Sequence, residues 1–137
     1  VNIVGLTKGK NNSFSDWLLD GLISKKNLNL FDDVYFSPLH VNTLASVLKK
    51  IVSNPIFGVY HCASNDYISK YEFGKKMAKI FDLPDSGIKK VSIDSMNFKA
   101  LRPKNMALNI EKMSSSLEYD LPSSVEAIIL LKYQYNN

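Results

Sequence analysis

The chain has 137 residues, of which 45% are hydrophobic and 22% are charged, and its formal net charge is +4. These values fit one globular domain with a core of ordinary size, and they exclude a disordered or fibrous chain. The lysines are scattered among apolar residues, and Arg102 is the one arginine. The sequence therefore predicts no nucleic-acid partner, because such a surface needs clustered basic residues and arginine or aromatic readers.

The composition also excludes several kinds of site. Cys62 is the single cysteine, which rules out an internal disulfide, and it lies in an apolar run that favours an inert thiol. Neither histidine, His40 or His61, has a second ligand at a suitable spacing, so we predict no metal site. No apolar run reaches the roughly 18 residues of a membrane span, and the first residues of the sequence do not have the pattern of a signal peptide. We expect a cytoplasmic protein with no membrane partner.

The first elements of the chain are predicted from local pattern. Residues 1–5 form an apolar strand, and because the chain starts there without Met we expect an excised fragment of a longer protein. A helix follows a polar loop, with Ser13 or Ser15 as its N-cap and its end near residues 25–26. Residues 28–31 alternate between apolar and polar, which predicts a short strand.

Residues 32–52 organise the rest of the chain. A β-prone acidic and aromatic run is followed by a predicted turn at Ser37–Pro38 and then by a helix. The apolar residues of this helix recur at helical spacing and are Val41, Leu44, Ala45, Val47, Leu48, Ile51 and Val52. The apolar run Gly58–Ala63 is predicted to be a buried strand. Together these segments predict an α/β unit.

The second half continues the alternation of helices and strands. Ser69 is predicted to cap a helix, with Glu72 three residues later completing a capping box. Four further segments follow, which are a strand at 88–93, a loop at 98–105, a helix at 109–117 and a helix after Pro122. We expect residues 1–137 to form a single domain.

The loop at residues 5–11 lies between a strand and a helix, where a glycine-rich loop would bind phosphate, and Asp32–Asp33 follows the next strand as a ribose-binding acid would. The third glycine of a dinucleotide-binding loop is absent, and Lys10–Asn11 stands where the backbone must approach the phosphate. The favoured interpretation is a polar loop at a strand end that can still contact a ligand. A stand-alone dinucleotide site is the alternative.

Tyr71 and Lys75 have the Tyr-x-x-x-Lys spacing with which a helix lowers the pKa of a phenol for proton transfer. Such a pair occurs often by chance. Tyr71 falls on or beside the helix face that carries Phe73 and Met77, so packing is the favoured interpretation.

Arg102 is the strongest single candidate for ligand contact. It lies in a loop before Pro103, and a guanidinium binds phosphate through a bidentate fork that lysine cannot copy. A structural ion pair is an equally weighted alternative.

Several short motifs occur in an order that resembles one known family. They are Asn2–Gly5, Asn12–Phe14, Phe31–Pro38, Leu44–Ala45, Gly58–His61, Ser69–Phe73 and Arg102–Asn105. This ordered set resembles the C-terminal half of the dTDP-4-dehydrorhamnose reductase family, within the extended short-chain dehydrogenase/reductases that act on nucleotide sugars. The resemblance covers essentially the whole chain.

The resemblance implies an α/β fold, namely the C-terminal part of a Rossmann-like NAD(P) fold with a small mixed α/β substrate-binding lobe. It places the glycine-rich NADP or NAD loop and the catalytic Tyr-x-x-x-Lys upstream of Val1, so no catalytic residue is expected here. It implies that Asn11, Asn12, Phe14 and Arg102 contact the nucleotide-sugar substrate, while the missing N-terminal Rossmann half binds the cofactor.

By the same resemblance, the whole protein reduces a 4-keto nucleotide sugar with NAD(P)H, and this chain alone is inactive. Asn2 stands where the family usually has arginine, and Asn109 where an acidic residue is common. Other nucleotide-sugar epimerases and dehydratases share the architecture and remain alternatives. So does a non-catalytic regulatory module, because the family includes a regulatory subunit of methionine adenosyltransferase. A homo-oligomer is a further expectation.

Overall fold

The computed structural model describes residues 2–7 and 13–137. The strands are β1 Asn2–Val4, β2 Leu28–Phe31, β3 Tyr35–Phe36, β4 Pro38–His40, β5 Ile68–Ser69, β6 Ile88–Val91 and β7 Asn105–Met106. The helices are α1 Phe14–Ile23, α2 Val41–Ser53, α3 Lys70–Phe81, α4 Glu111–Leu117 and α5 Ser124–Asn136, with one 3-10 turn at Ile93–Ser95.

The strands form three small sheets. Strand β1 pairs parallel with β4, and β2 pairs parallel with β6 through four residue pairs that run from Leu28 with Ile88 to Phe31 with Val91. Strand β3 lies between an antiparallel β5 and a parallel β7. Parallel pairs need crossover connections, and here those connections are the helices. The expected α/β organisation is confirmed.

The main core lies between α1, α3 and α5 and the strands β2 and β6. Its largest fully buried side chains include Phe36, Phe73 and Met77. A second cluster, built on Leu39, Val47 and Met113, packs α2 against α4. No helix in the described part of the chain is long and apolar enough to cross a membrane.

The predicted starts of α1, α3 and α5 are confirmed, because they depend on local chemistry, whereas α4 begins at Glu111, two residues later than predicted, without a side-chain cap. Ser13 caps α1, with its hydroxyl accepting from the backbone N–H of Asp16. Ser69 and Ser123 each form a complete capping box, at the starts of α3 and α5. A serine oxygen and a glutamate three residues later satisfy amide groups that the first helical turn leaves without partners.

The predicted turn at Ser37–Pro38 is wrong. Pro38 instead begins β4, whose three residues are all buried beside β1. A proline is tolerated as the first residue of a strand. It has no amide hydrogen, but at that position the ladder does not need a donor.

The predicted buried strand at Gly58–Ala63 is also wrong. Within the described residues, no strand pairs with this segment, and Val59 is 82% exposed. Gly58 has a φ of +112°, a conformation that interrupts an extended run. Only Cys62 and Ala63 at its end are buried, so half of the apolar run lies at the surface together with Leu48 and Val52 of α2.

His40 joins three elements through hydrogen bonds. Its Nδ1 accepts from the backbone N–H of Asn42 and so caps α2, while its Nε2 lies 3.3 Å from Oε1 of Gln134 on α5. The amide of Gln134 in turn binds both backbone groups of Leu6, after β1. The ring must stay neutral to accept at Nδ1, and its complete burial lowers the pKa of His40.

We therefore expect the free energy of unfolding to fall in mild acid. The pKa of His40 in the folded chain lies below its unfolded value of about 6.5, so the unfolded chain binds more protons in mild acid. His40 therefore contributes its full stabilisation only above about pH 6.5. As the pH falls below about 6.5, the loss reaches at most about 1.4 kcal/mol per pH unit. Urea denaturation between pH 5 and pH 7 measures it. His40→Asn keeps a capping oxygen and should remove this dependence, and an unchanged slope would contradict the assignment.

Candidate functional site

A groove of about 430 Å³ opens beside the start of α3. It is lined by Phe31, Val34, Lys70, Ile93, Phe98, Arg102, Pro103 and Met106, and we call it the Arg102 groove. Its walls are mostly apolar and aromatic, and its two charged side chains are both cations. Such a combination suits a ligand that carries a ring and an anionic group.

A second depression of about 210 Å³ adjoins the first. It is lined by Phe14, Trp17, Asn29, Leu30, Phe31 and Lys70, and we call it the Phe14 groove. Phe31 and Lys70 belong to both linings. The structure thus brings two of the predicted site residues, Phe14 and Arg102, to adjoining grooves with Lys70 between them.

Lys70 is the first residue of α3, and its backbone N–H donates to the carbonyl of Val34. Its Nζ lies 3.3 Å from the ring centroid of Phe36 and 4.2 Å from that of Phe14. The side chain is half-buried, and this burial lowers the pKa of Lys70 to about 8. No carboxylate in the described part of the chain forms an ion pair with it.

Arg102 lines the same groove and is exposed. Its guanidinium carbon lies 5.6 Å from the ring centroid of Phe98, a cation-π distance. No described carboxylate lies within ion-pair distance of Arg102, so nothing in residues 2–7 and 13–137 supports the alternative of a structural ion pair. Its fork of N–H donors is available to a ligand.

The loop that carries Arg102 is anchored through Lys104, two residues later in the chain. Lys104 pairs with Asp94 and lies 3.2 Å from a carboxylate oxygen of Asp33. The carboxylate of Asp33 also accepts from the Ser92 hydroxyl at 2.6 Å and from the Ile93 amide at 2.9 Å. These hydrogen bonds, the Ser92 hydroxyl foremost, lower the pKa of Asp33 to about 2. Asp33 is thus engaged by this anchor and is not among the residues that line the Arg102 groove.

The rings of Phe31 and Phe98 add an apolar contact to this anchor. Their centroids are 6.2 Å apart and the rings meet edge to face. The loop is thereby held against the end of β2, and this contact shapes one wall of the Arg102 groove.

The start of α1 does not fit a dinucleotide. The carboxylate of Asp16 binds the hydroxyl of Ser13 and both the amide and hydroxyl of Thr7, which puts a negative charge where a pyrophosphate would lie. The predicted residues Asn11 and Asn12 lie outside the described residues. The described residues of this loop therefore do not support a nicotinamide cofactor at this point.

The other candidates from the sequence have structural roles. Tyr71 packs against the main core, and Lys75 forms an ion pair with Asp85, in agreement with a packing role for the Tyr-x-x-x-Lys pair. Cys62 is buried, and this burial raises the pKa of its thiol, while the neighbouring His61 faces solvent. No group of three or more metal-binding side chains comes together among the described residues.

Residues 3–132 match the family described as RmlD substrate binding domain. The chain belongs to this family. Among its curated relatives, methionine adenosyltransferase 2 subunit beta of Rattus norvegicus is 32% identical over 104 residues, which are 63% of this chain and 31% of that protein. The RmlD-type chain thus spans about a third of the length of this relative.

Solved structures of nucleotide-sugar enzymes share the fold. One is dTDP-4-dehydrorhamnose reductase from Bacillus anthracis str. Ames in complex with NADP, with a TM-score of 0.86 and 20% identity over 96% of this chain and 46% of that one. Another is dTDP-glucose 4,6-dehydratase from the same organism in complex with NAD, with a TM-score of 0.75 and 16% identity over 98% and 42%. The predicted fold class, the C-terminal part of a Rossmann-like fold with a small α/β lobe, is confirmed.

Lys70 is the charged residue of the Arg102 groove that sequence reasoning missed. A lysine at the first position of a helix lies beside the positive end of the helix dipole, where acidic residues are preferred. A cation at this unfavourable position was the signal in the sequence that could have drawn attention to Lys70.

Proposed function

We propose that this chain is the nucleotide-sugar-binding portion of an NAD(P)H-dependent reductase that acts on a 4-keto nucleotide sugar. The observation that carries the proposal is the Arg102 groove, in which an unpaired guanidinium stands over an aromatic wall. A nucleotide sugar needs both, because its diphosphate is anionic and its base and sugar present flat or apolar faces.

Each part of the groove has a suitable chemistry. Arg102 can bind two phosphate oxygens at once, and its freedom from an internal carboxylate leaves this capacity unused. Phe31 and Phe98 offer ring faces and edges for a base. The volume of about 430 Å³ lies within the usual range for a small-molecule site. We include Phe14, Asn11 and Asn12 in the proposed substrate contacts on the basis of the family resemblance.

The reaction itself would take place between this lobe and the rest of the longer protein. The N-terminal half would hold NADP or NAD, which would supply a hydride for C4 of the sugar, and a tyrosine of that half would supply the proton. Two observations support a partner half: the chain spans 46% of the similar reductase, and within the described residues β1 pairs with β4 alone, with Ile3 54% exposed. Parallel strands are usually covered on both faces.

On this proposal the chain alone is catalytically inactive, and residues 1–137 are one substrate-binding domain of a cytoplasmic enzyme. Two other functions remain candidates. The architecture is shared with the dehydratase described above, so an epimerase or dehydratase of nucleotide sugars would use the same groove. The identity with methionine adenosyltransferase 2 subunit beta supports the second candidate, a subunit of a larger assembly, which the family resemblance implies to be non-catalytic.

Calorimetric titration of the chain with dTDP-glucose and UDP-glucose tests the proposal. We expect at least one of these nucleotide sugars to bind, while glucose and thymidine, which lack the diphosphate, bind far more weakly. Absence of binding by both nucleotide sugars would contradict the proposed function and favour the non-catalytic subunit.

A further inference from the structure

We propose that Lys70 is the second phosphate-binding cation of the Arg102 groove and that the diphosphate of a bound nucleotide sugar makes its amine take up a proton. This inference rests on the proposed function, and it adds a residue and a pH dependence that the function alone does not require. It starts from the position of Lys70, which lines both the Arg102 groove and the Phe14 groove.

The surroundings of Lys70 lack an anion. Its Nζ lies over the rings of Phe36 and Phe14 and makes no hydrogen bond or ion pair within the described part of the chain. A partly buried ammonium without an anion partner is poorly stabilised, because the ring contacts replace only part of its hydration. A phosphate oxygen in the groove would supply the missing negative charge.

The nearby carboxylates are already engaged. Asp33 pairs with Lys104, Asp32 lies 3.1 Å from Lys90, and Glu72 accepts from the amide and hydroxyl of Ser69 in the capping box. The other charged side chain that lines the groove, Arg102, is also a cation. The charge that stabilises the ammonium must therefore come from outside the described chain.

Proton uptake follows from this arrangement. Burial lowers the pKa of Lys70 to about 8, so roughly half of the amines are neutral at pH 8. Contact with a phosphate would return the pKa towards its ordinary value of about 10.4. Binding at pH 8 should then take up about half a proton, and binding near pH 6 almost none. As the pH rises above 8, affinity should fall by up to about tenfold per pH unit.

The test is calorimetry with dTDP-glucose at pH 8 in HEPES and in Tris, whose ionisation enthalpies differ. The diphosphate of this probe is a diester with no proton to exchange near pH 8. The difference in heat between the two buffers gives the number of protons taken up, which we expect to be about 0.5. Lys70→Arg keeps the charge and should bind without uptake, and Lys70→Met should bind about tenfold or more weakly at pH 7.

The outcomes separate this inference from the proposed function. If the unaltered chain binds dTDP-glucose without proton uptake, or if Lys70→Met binds as tightly as the unaltered chain, the inference is overturned while the proposed function stands. If the unaltered chain binds neither dTDP-glucose nor UDP-glucose, both fail. Urea denaturation of Lys70→Arg and Lys70→Met shows whether each variant is folded, and Lys70→Arg tests the uptake even if Lys70→Met unfolds.

Discussion

Phe73→Ala is expected to lower the free energy of unfolding by about 3–5 kcal/mol. Phe73 is fully buried, and its ring centroid lies 5.3 Å from that of Phe36 and 5.7 Å from that of Phe14. Removing the ring leaves a cavity and takes away the support of the two rings that hold Lys70. Urea or guanidinium denaturation of the purified chain measures the loss.

Two variants act as controls for this result. Phe73→Leu keeps most of the apolar volume and should cost markedly less than Phe73→Ala. Phe57→Ala removes the same side chain at a site that is 88% exposed, and should change stability by no more than about 0.5 kcal/mol. A loss below about 1 kcal/mol for Phe73→Ala would mean that the aromatic cluster is not the core of the folded chain.

Arg102→Ala is expected to weaken the binding of a nucleotide sugar by about tenfold to a hundredfold, because hydrogen bonds to a charged group contribute roughly 1.5–3 kcal/mol. The stability of this variant should change little, since Arg102 is exposed and forms no ion pair within the described part of the chain, and its guanidinium lies near the ring of Phe98. Calorimetric titration with dTDP-glucose, together with a denaturation curve, separates the two effects.

Arg102→Lys keeps the charge but loses the bidentate fork, so its affinity should lie between those of Arg102→Ala and the unaltered chain. Lys99→Ala removes a cation from the same exposed loop at a position that does not line the groove, and should leave affinity nearly unchanged. Equal losses for Lys99→Ala and Arg102→Ala would show that Arg102 acts only through general electrostatic attraction.

Local chemistry made much of the fold predictable. Ser69 with Glu72, and the serine that precedes α5, mark helix starts through groups that lie within one turn of one another. The errors came where a segment depends on distant partners. Gly58–Ala63 has the composition of a strand but no described strand pairs with it, whereas Pro38 begins a strand because β1 lies beside it.

The candidate site could be predicted only in part, because it too depends on residues that are distant in the sequence. Arg102 could be singled out because it is the one arginine and lies in a loop, and Phe14 because of the family resemblance. Lys70 could not be singled out by spacing, since its burial depends on Phe14 from α1 and Phe36 from β3, which lie 56 and 34 positions earlier in the chain. Only the folded chain brings these rings over one amine.

The most direct test of the account is an amide NMR map of the chain titrated with dTDP-glucose, because it asks where the ligand binds as well as whether it does. We predict that the largest shifts cluster at Phe31, Lys70, Phe98 and Arg102, which line the Arg102 groove. Shifts confined to the exposed face of α2, or no shifts at ligand concentrations that saturate a nucleotide-sugar site, would contradict the claim that this groove is the substrate site.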